Sequence, residues 1–154
     1  MTTTVINQLA LQDFERASRK RFWRDLFSRL ARKCNSLLAF HQIHQSLPLD
    51  NEHFKGLQTV SLDKIIGSEG RYHDFDRAFF PRQRHLRERW ASINRAYYEQ
   101  TPLPPVKLTQ VGGVYFVQDG NHRISVARVR GQDFIEAYVT ELDLSVPVDL
   151  SKGC

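Results

Sequence analysis

The chain has 154 residues, of which 41% are hydrophobic, 25% charged and 11% aromatic. That length suits a single domain with a real core, and the aromatic content excludes a disordered chain. The net charge of +5 favours polyanionic partners such as nucleic acid or nucleotides.

Nothing in the sequence predicts a membrane protein. No apolar run approaches the roughly eighteen residues that a bilayer span needs. The polar start, MTTTVINQ, lacks the basic-then-apolar order of a signal peptide. We therefore expect a cytoplasmic protein with no membrane partner; a homodimer is left open.

The N-terminal region, residues 5–47, shows helical periodicity in two apolar stripes. The first contains Ala10, Phe14 and Ala17, and the second contains Trp23, Leu26, Phe27, Leu30 and Cys34. The stripes are out of phase, since Phe14 and Phe27 point about 140° apart on an ideal helix. Either the helix kinks near residues 19–21 or it contacts two surfaces.

Basic residues are concentrated in this same region. They either contact the phosphates of a nucleic acid or form a solvated helix face. They are Arg16, Arg19, Lys20, Arg21, Arg24, Arg29, Arg32 and Lys33.

The rest of the chain alternates strand and helix patterns. LQTVSLDKII, residues 57–66, predicts a strand, and RYHDFDRAFFP predicts an ordered loop. From Pro81 onwards, an apolar stripe of Leu86, Trp90, Ile93 and Tyr97 predicts a helix of about four turns.

After the proline-rich stretch TPLPP, PVKLTQ and VYFVQ flank Gly112-Gly113, as in a β-hairpin. DGNHRISVARVRG then predicts a helix closed by Gly131, and FIEAYVTEL predicts a strand, which together suggest a small βαβ-like unit.

These patterns predict an α+β fold, with a small mixed β-sheet, packed helices and an N-terminal helical extension. The expected divisions are a basic helical extension over 1–55, the α+β domain over 56–145 and a C-terminal tail over 146–154.

The turn in VQDGNHRIS has the chemistry of an anion site. Asp119-Gly120 leaves the strand, and the helix is expected to begin at Asn121 or His122. The first turn of a helix has unpaired N–H groups and a partial positive charge, and a preceding glycine lets a ligand approach the backbone. His122 and Arg123 would add donors for phosphate oxygens. The alternative is an ordinary capping turn, for which an Asp or Asn suffices.

Residues 115–142, YFVQDGNHRISVARVRGQDFIEAYVTEL, resemble the signature region of the ParB/sulfiredoxin superfamily, in which a strand, a phosphate-holding turn, a helix ending in glycine and a strand follow one another. Residues 57–71, LQTVSLDKIIGSEGR, resemble the family's opening strand and its loop ending in arginine. The resemblance implies that Gly120, His122 and Arg123, with Arg71, bind phosphate. Asn121, at the expected start of the helix, is predicted to bind phosphate with them. A nucleoside triphosphate with Mg²⁺ is the implied ligand.

One branch of that family is excluded chemically. Sulfinic acid reductases of the family carry a cysteine where this chain has Asn121, and without a thiolate no nucleophile is available for that reaction.

Other groups are candidates for catalysis or metal binding. His122, Asp119 and Glu69 are candidate catalytic groups, and the carboxylates of Asp74 and Asp76 are candidate metal ligands. Alternatively, the two aspartates pair with Arg71 and Arg77 to order an aromatic loop.

The predicted function is therefore nucleotide or phosphate binding by a ParB-like domain, with an NTP-hydrolysing, phosphotransferase or regulatory role. The alternative is a DNA-associated ParB-like nuclease or a non-specific nucleic-acid-binding protein.

Overall fold

The computed structural model describes residues 2–47, 49–145 and 149–150. Within these residues the chain forms four α-helices and one six-stranded mixed sheet, which confirms the predicted α+β class. The elements are α1 (Thr3–Leu30), β1 (Leu38–Ala39), α2 (Phe40–Ser46), β2 (Leu49–Ser61), β3 (Ile65–Ser68), α3 (Arg87–Tyr98), β4 (Val106–Val111), β5 (Val114–Asp119), α4 (Asn121–Val129) and β6 (Phe134–Leu144). Of the predicted C-terminal tail, residues 146–154, the structure describes residues 149–150.

The sheet has the order β1-β3-β5-β4-β6-β2. Strands β4 and β5 form the predicted antiparallel hairpin around Gly112, whose φ is +61°. The expected βαβ-like unit is not formed, because β6 pairs in parallel with β4 instead of with β5. Strand β6 therefore runs antiparallel to β5, with β4 between them.

The strand predicted over residues 57–66 is broken into two. Strand β2 ends at Ser61, a 3-10 turn spans Leu62–Lys64, and β3 begins at Ile65. The break carries the chain from β2 at one edge of the sheet to β3 near the opposite edge. It also buries Leu62, whose N–H donates to the carbonyl of Asp133. Because β2 begins at Leu49, the predicted boundary between residues 55 and 56 falls inside a strand.

Helix α1 is a single continuous helix of 28 residues. Its first stripe, from Ile6 to Ala17, is buried, and Phe14 lies edge-on to Trp90 of α3 with ring centroids 5.7 Å apart. Most of the second stripe faces solvent, with Trp23, Leu26, Phe27 and Leu30 all exposed. Within the described part of the chain, neither a kink nor a second intramolecular surface reconciles the two stripes.

Helix α3 follows its predicted stripe and positions α4. Leu86 and Trp90 are buried, while Ile93 and Tyr97 pack against the core. The indole Nε1 of Trp90 donates a 2.9 Å hydrogen bond to the hydroxyl of Ser125 in α4. Hydrophobic packing and this bond fix the middle of α4 relative to α3.

Candidate functional site

The predicted strand-turn-helix geometry is present at residues 114–129. Strand β5 ends at Asp119, Gly120 has a φ of +112°, and α4 begins at Asn121. A Cβ on Gly120 would lie 2.5 Å from Cγ1 of Val106. The turn therefore requires glycine both for its backbone conformation and for its contact with β4.

The first turn of α4 has no side-chain cap, because its N-cap residue is Gly120. The first intrahelical bond runs from the N–H of Ile124 to the carbonyl of Gly120. The N–H groups of Asn121, His122 and Arg123 thus have no acceptor within the helix. Asn121 is the first helical residue, so the alternative of an ordinary Asn cap is not what the structure shows. Its side-chain oxygen instead accepts a 2.9 Å hydrogen bond from Ser68.

A cleft of about 220 Å³ opens at this turn. It is lined by all five residues predicted to bind phosphate, by two residues of α3 and by three further residues of β5 and the loop after β3. The lining residues are Gly70, Arg71, Arg89, Ile93, Gln118, Asp119, Gly120, Asn121, His122 and Arg123. Arg89 was not predicted as a site residue. It belongs to the arginine-rich segment 82–95, which was visible in the sequence, but no spacing singled it out.

His122 is a buried, neutral imidazole at this cleft. Its side chain is only 5% exposed and lies edge-on to Phe75 at 5.4 Å. Its Nε2 has no hydrogen-bond partner among the described residues. Burial, with further contributions from the positive charges of Arg89 and Arg71, lowers the pKa of His122 to about 4. The imidazole is therefore uncharged at pH 7.

Arg123 is largely engaged by the protein itself. Its Nη1 donates to the carbonyl oxygens of Pro104 at 2.7 Å and Pro105 at 3.0 Å, and its Nη2 donates to Asp119 at 2.9 Å. Although Arg123 lines the cleft, its guanidinium holds the loop before β4. The side-chain N–H groups of Arg123 are therefore already engaged, and a phosphate in the cleft would meet its backbone N–H and its positive charge.

Arg71 faces the cleft from the loop after β3. The hydroxyl oxygen of Ser68 accepts a 3.3 Å hydrogen bond from the N–H of Gly70 and also contacts the carbonyl of Gly70, which orders this loop next to Asn121. Arg71 itself has a φ of +56°, and its Nη1 lies 3.1 Å from a carboxylate oxygen of Asp74. One carboxylate thus positions the guanidinium, which is half exposed.

The remaining carboxylates divide into cleft and structural groups. Asp119 lines the cleft, whereas Glu69 accepts a 2.7 Å hydrogen bond from Thr109 and is not among the lining residues. Asp76 is fully buried and accepts bonds from the N–H groups of Ala78 and Phe80.

The carboxylate of Asp76 also pairs with Arg24, not with Arg77 as the sequence suggested. Asp74 does pair with Arg71, as that interpretation expected. Among residues 2–47, 49–145 and 149–150, no group of three or more His, Cys, Asp or Glu side chains is arranged to hold a metal ion.

A larger cavity of about 370 Å³ lies between α1, α3 and α4. Its polar groups largely satisfy one another: Asp13 accepts from Asn94 and Tyr98, and Arg130 donates to Asn94. The smaller cleft at α4 instead presents the N–H groups of an uncapped helix and the side chain of Arg89, which has no ion pair among the described residues.

Comparison with protein families, curated proteins and solved structures finds no match to this chain. Within the described residues, no helix combines the length and apolar character needed to cross a bilayer.

Proposed function

We propose that the cleft at the head of α4 binds the phosphate groups of a nucleotide, and that the protein acts as a nucleotide-binding ParB-like domain. The observation that carries the proposal is the uncapped first turn of α4, which opens into a cleft flanked by Arg71 and Arg89. Helix N-termini with free N–H groups are general anion sites.

The charges around the cleft favour an anion. Three arginines line it against a single carboxylate, Asp119, which is itself paired with Arg123. Arg89 makes no ion pair with any described residue. Its guanidinium is therefore available for a ligand oxygen.

The size of the cleft supports phosphate groups as the bound part. A volume of about 220 Å³ is smaller than the roughly 300–1,000 Å³ of pockets that enclose drug-sized ligands. A sugar and base would extend beyond the cleft. Mg²⁺ would then arrive with the phosphates, because the nearby carboxylates of Asp74 and Asp119 are each paired with an arginine.

The protonation state of His122 favours binding over hydrolysis. A general base works best with a pKa near the working pH, and a pKa of about 4 makes His122 a weak base at pH 7. A neutral ring instead accommodates an anion without adding charge. We therefore propose a regulatory binding role.

Thermal unfolding with CTP, ATP, GTP and pyrophosphate, each with and without Mg²⁺, tests this function. A ligand at a hundred times its Kd should stabilise the fold by about 2.7 kcal/mol. Arg89→Gln and Arg71→Gln should weaken that stabilisation, whereas Arg84→Gln, which lies outside the cleft and is highly exposed, should not. If no phosphate compound stabilises the protein, the proposal fails.

The nucleic-acid alternative is supported by exposed cations on α1, of which Arg19 and Arg29 make no ion pairs within the described residues. DNA binding through phosphate contacts must weaken steeply with salt. The alternative would be favoured if DNA affinity falls steeply with salt and Arg89→Gln makes that dependence less steep. Free nucleotides should then fail to stabilise the protein. Mg²⁺-dependent cleavage that is lost in His122→Ala would favour its nuclease form.

A further inference from the structure

The second half of α1 exposes a continuous apolar stripe. It consists of Phe22, Trp23, Leu26, Phe27 and Leu30, which we call the outer stripe. Phe27 is 64% exposed and Leu30 is 75% exposed. Contiguous apolar patches of this kind on a soluble domain mark an interaction surface.

The outer stripe points away from the core. Ala17, the last buried residue of α1, and Leu26 lie about 180° apart around the helix. From Phe22 to Leu30 the stripe runs about 12 Å along the helix axis. The stripe is a convex ridge, so its binding partner has either a flat surface or a groove.

Cations flank this ridge on both ends. Arg16 and Arg19 precede it, and Arg29, Arg32 and Lys33 lie beside or after it; Phe22, Trp23 and Phe27 supply the aromatic rings. Of these cations, only Arg16 makes an ion pair among the described residues, with Asp13 at 3.6 Å. Asp25 is turned to another side, where it pairs with Arg21 at 2.6 Å.

A polar cavity of about 680 Å³ lies beside the C-terminal part of α1, on the side that carries Arg21 and Asp25. Arg29 and Lys33 line it together with Arg21, Arg82 and Asp25, and the carboxylate of Asp25 pairs with both Arg21 and Arg82. The lining cations without an ion pair among the described residues are therefore Arg29 and Lys33, which also lie beside the end of the outer stripe.

We propose that the outer stripe docks on an anionic lipid bilayer surface, with its rings in the interfacial region and its flanking cations on the headgroups. Apolar and aromatic residues on one helix face beside Arg and Lys are the features of interfacial helices. The expectation of no membrane partner rested on the absence of a span, and surface docking requires none.

Charge disfavours the other occupants. A second copy docked on the same ridge would bring the unpaired cations of both chains together without carboxylates to offset them. A nucleic-acid duplex would meet the cations but would place five apolar side chains against phosphates. An anionic bilayer satisfies both parts of the surface.

Vesicle co-sedimentation of the full chain tests the proposal, with vesicles of phosphatidylcholine alone and of phosphatidylcholine mixed with phosphatidylglycerol. We expect sedimentation only with the anionic vesicles. Phe27→Asp and Leu30→Asp should each reduce partition by more than about tenfold. Phe54→Asp is the matched control, since Phe54 is 71% exposed on β2, away from the stripe.

Tryptophan emission gives a second readout, because one of the two tryptophans is in the stripe. Trp23 is 56% exposed, whereas Trp90 is fully buried. Anionic vesicles should shift the emission of the parent protein to shorter wavelength. Trp23→Phe should still sediment but show no shift.

Three outcomes would overturn the proposal. One is failure to sediment with anionic vesicles. Another is sedimentation that Phe27→Asp and Leu30→Asp leave unchanged, which would indicate adsorption by charge alone. The third is concentration-dependent dimerisation that Leu30→Asp abolishes, without vesicle binding, which would assign the stripe to a second copy. Nucleotide stabilisation of Leu30→Asp should match that of the parent, so the two proposals fail or succeed separately.

Discussion

Arg123 donates a 2.7 Å hydrogen bond from Nη1 to the carbonyl oxygen of Pro104, and so ties the first turn of α4 to the loop before β4. The same guanidinium also binds Pro105 and Asp119. We expect Arg123→Ala to lower the free energy of unfolding by about 1–3 kcal/mol, because it removes three hydrogen bonds that each contribute about 0.5–1.5 kcal/mol net. Urea denaturation measures the loss.

Arg84→Ala serves as the control for this substitution, since Arg84 is exposed and makes only a long ion pair with Glu15. Its effect should stay within about 0.5 kcal/mol. Equal losses for both variants would contradict the clamping role of Arg123.

Gly120→Ala should be more destabilising than Gly131→Ala. Both glycines have positive φ, at +112° and +77°, so both substitutions incur backbone strain. Only at Gly120 would the new Cβ collide with Val106, while Gly131 has no heavy atom within 4 Å of that position. We expect an additional loss of about 1–3 kcal/mol at Gly120, measured by thermal unfolding. Similar losses at both positions would mean that β4 yields to the new methyl group.

Stability should fall in acid because of His122. Its folded-state pKa of about 4 lies below the unfolded value of 6.5, so the unfolded chain binds the proton more tightly. The contribution of His122 to the free energy of unfolding is fully present above about pH 6.5. It is lost as the pH falls towards 4, and the loss is about 3 kcal/mol in total. Besides Arg89 and Arg71, His85 opposes protonation and Asp74 favours it.

His122→Gln should remove this part of the pH dependence, as urea denaturation at pH 7, 6 and 5 would show. His53→Gln should retain it, because His53 is half exposed and paired with Asp143. A phosphate ligand in the cleft should raise the pKa of His122, which NMR titration of the imidazole can follow. An imidazole that titrates near 6.5 would contradict the burial that we describe.

Ser68→Ala should weaken both the fold and the cleft. Ser68 is fully buried, and its hydroxyl contacts Asn121, Gly70 and the carbonyl of Val117. Its removal should cost about 1–3 kcal/mol by leaving the oxygen of Asn121 without a donor. A double-mutant cycle with Asn121→Ala should show a coupling energy of at least about 0.5 kcal/mol, whereas independent effects would argue against the Ser68–Asn121 link.

Local features were predictable from the sequence because they depend on neighbouring residues. Gly112 forms its hairpin, and Gly131 closes α4 with bonds from Gly131 to Arg128 and from Gln132 to Ala127. The stripe of Leu86 and Trp90 is buried as its periodicity predicted.

Features that depend on long-range pairing were not predictable in this way. The break at Leu62 follows from the crossing between sheet edges, and the antiparallel direction of β6 relative to β5 follows from its pairing with β4. Similarly, Arg89 reaches the cleft only because α3 packs on α4, and Arg123 is engaged by a loop about twenty residues earlier in the chain. Residue chemistry located the turn, but tertiary packing selected which side chains remain available there.

The two halves of α1 are held by different forces. The segment from Ile6 to Ala17 is anchored by apolar burial, whereas beyond it the helix is held to the rest of the protein by polar contacts such as Arg24 with Asp76 and Asp25 with Arg82. Backbone amides in the first half should therefore exchange with deuterium only when the whole core opens, while those after Asp25 exchange through local fraying. The end of α1 can thus unwind or tilt while the sheet and the head of α4 stay intact.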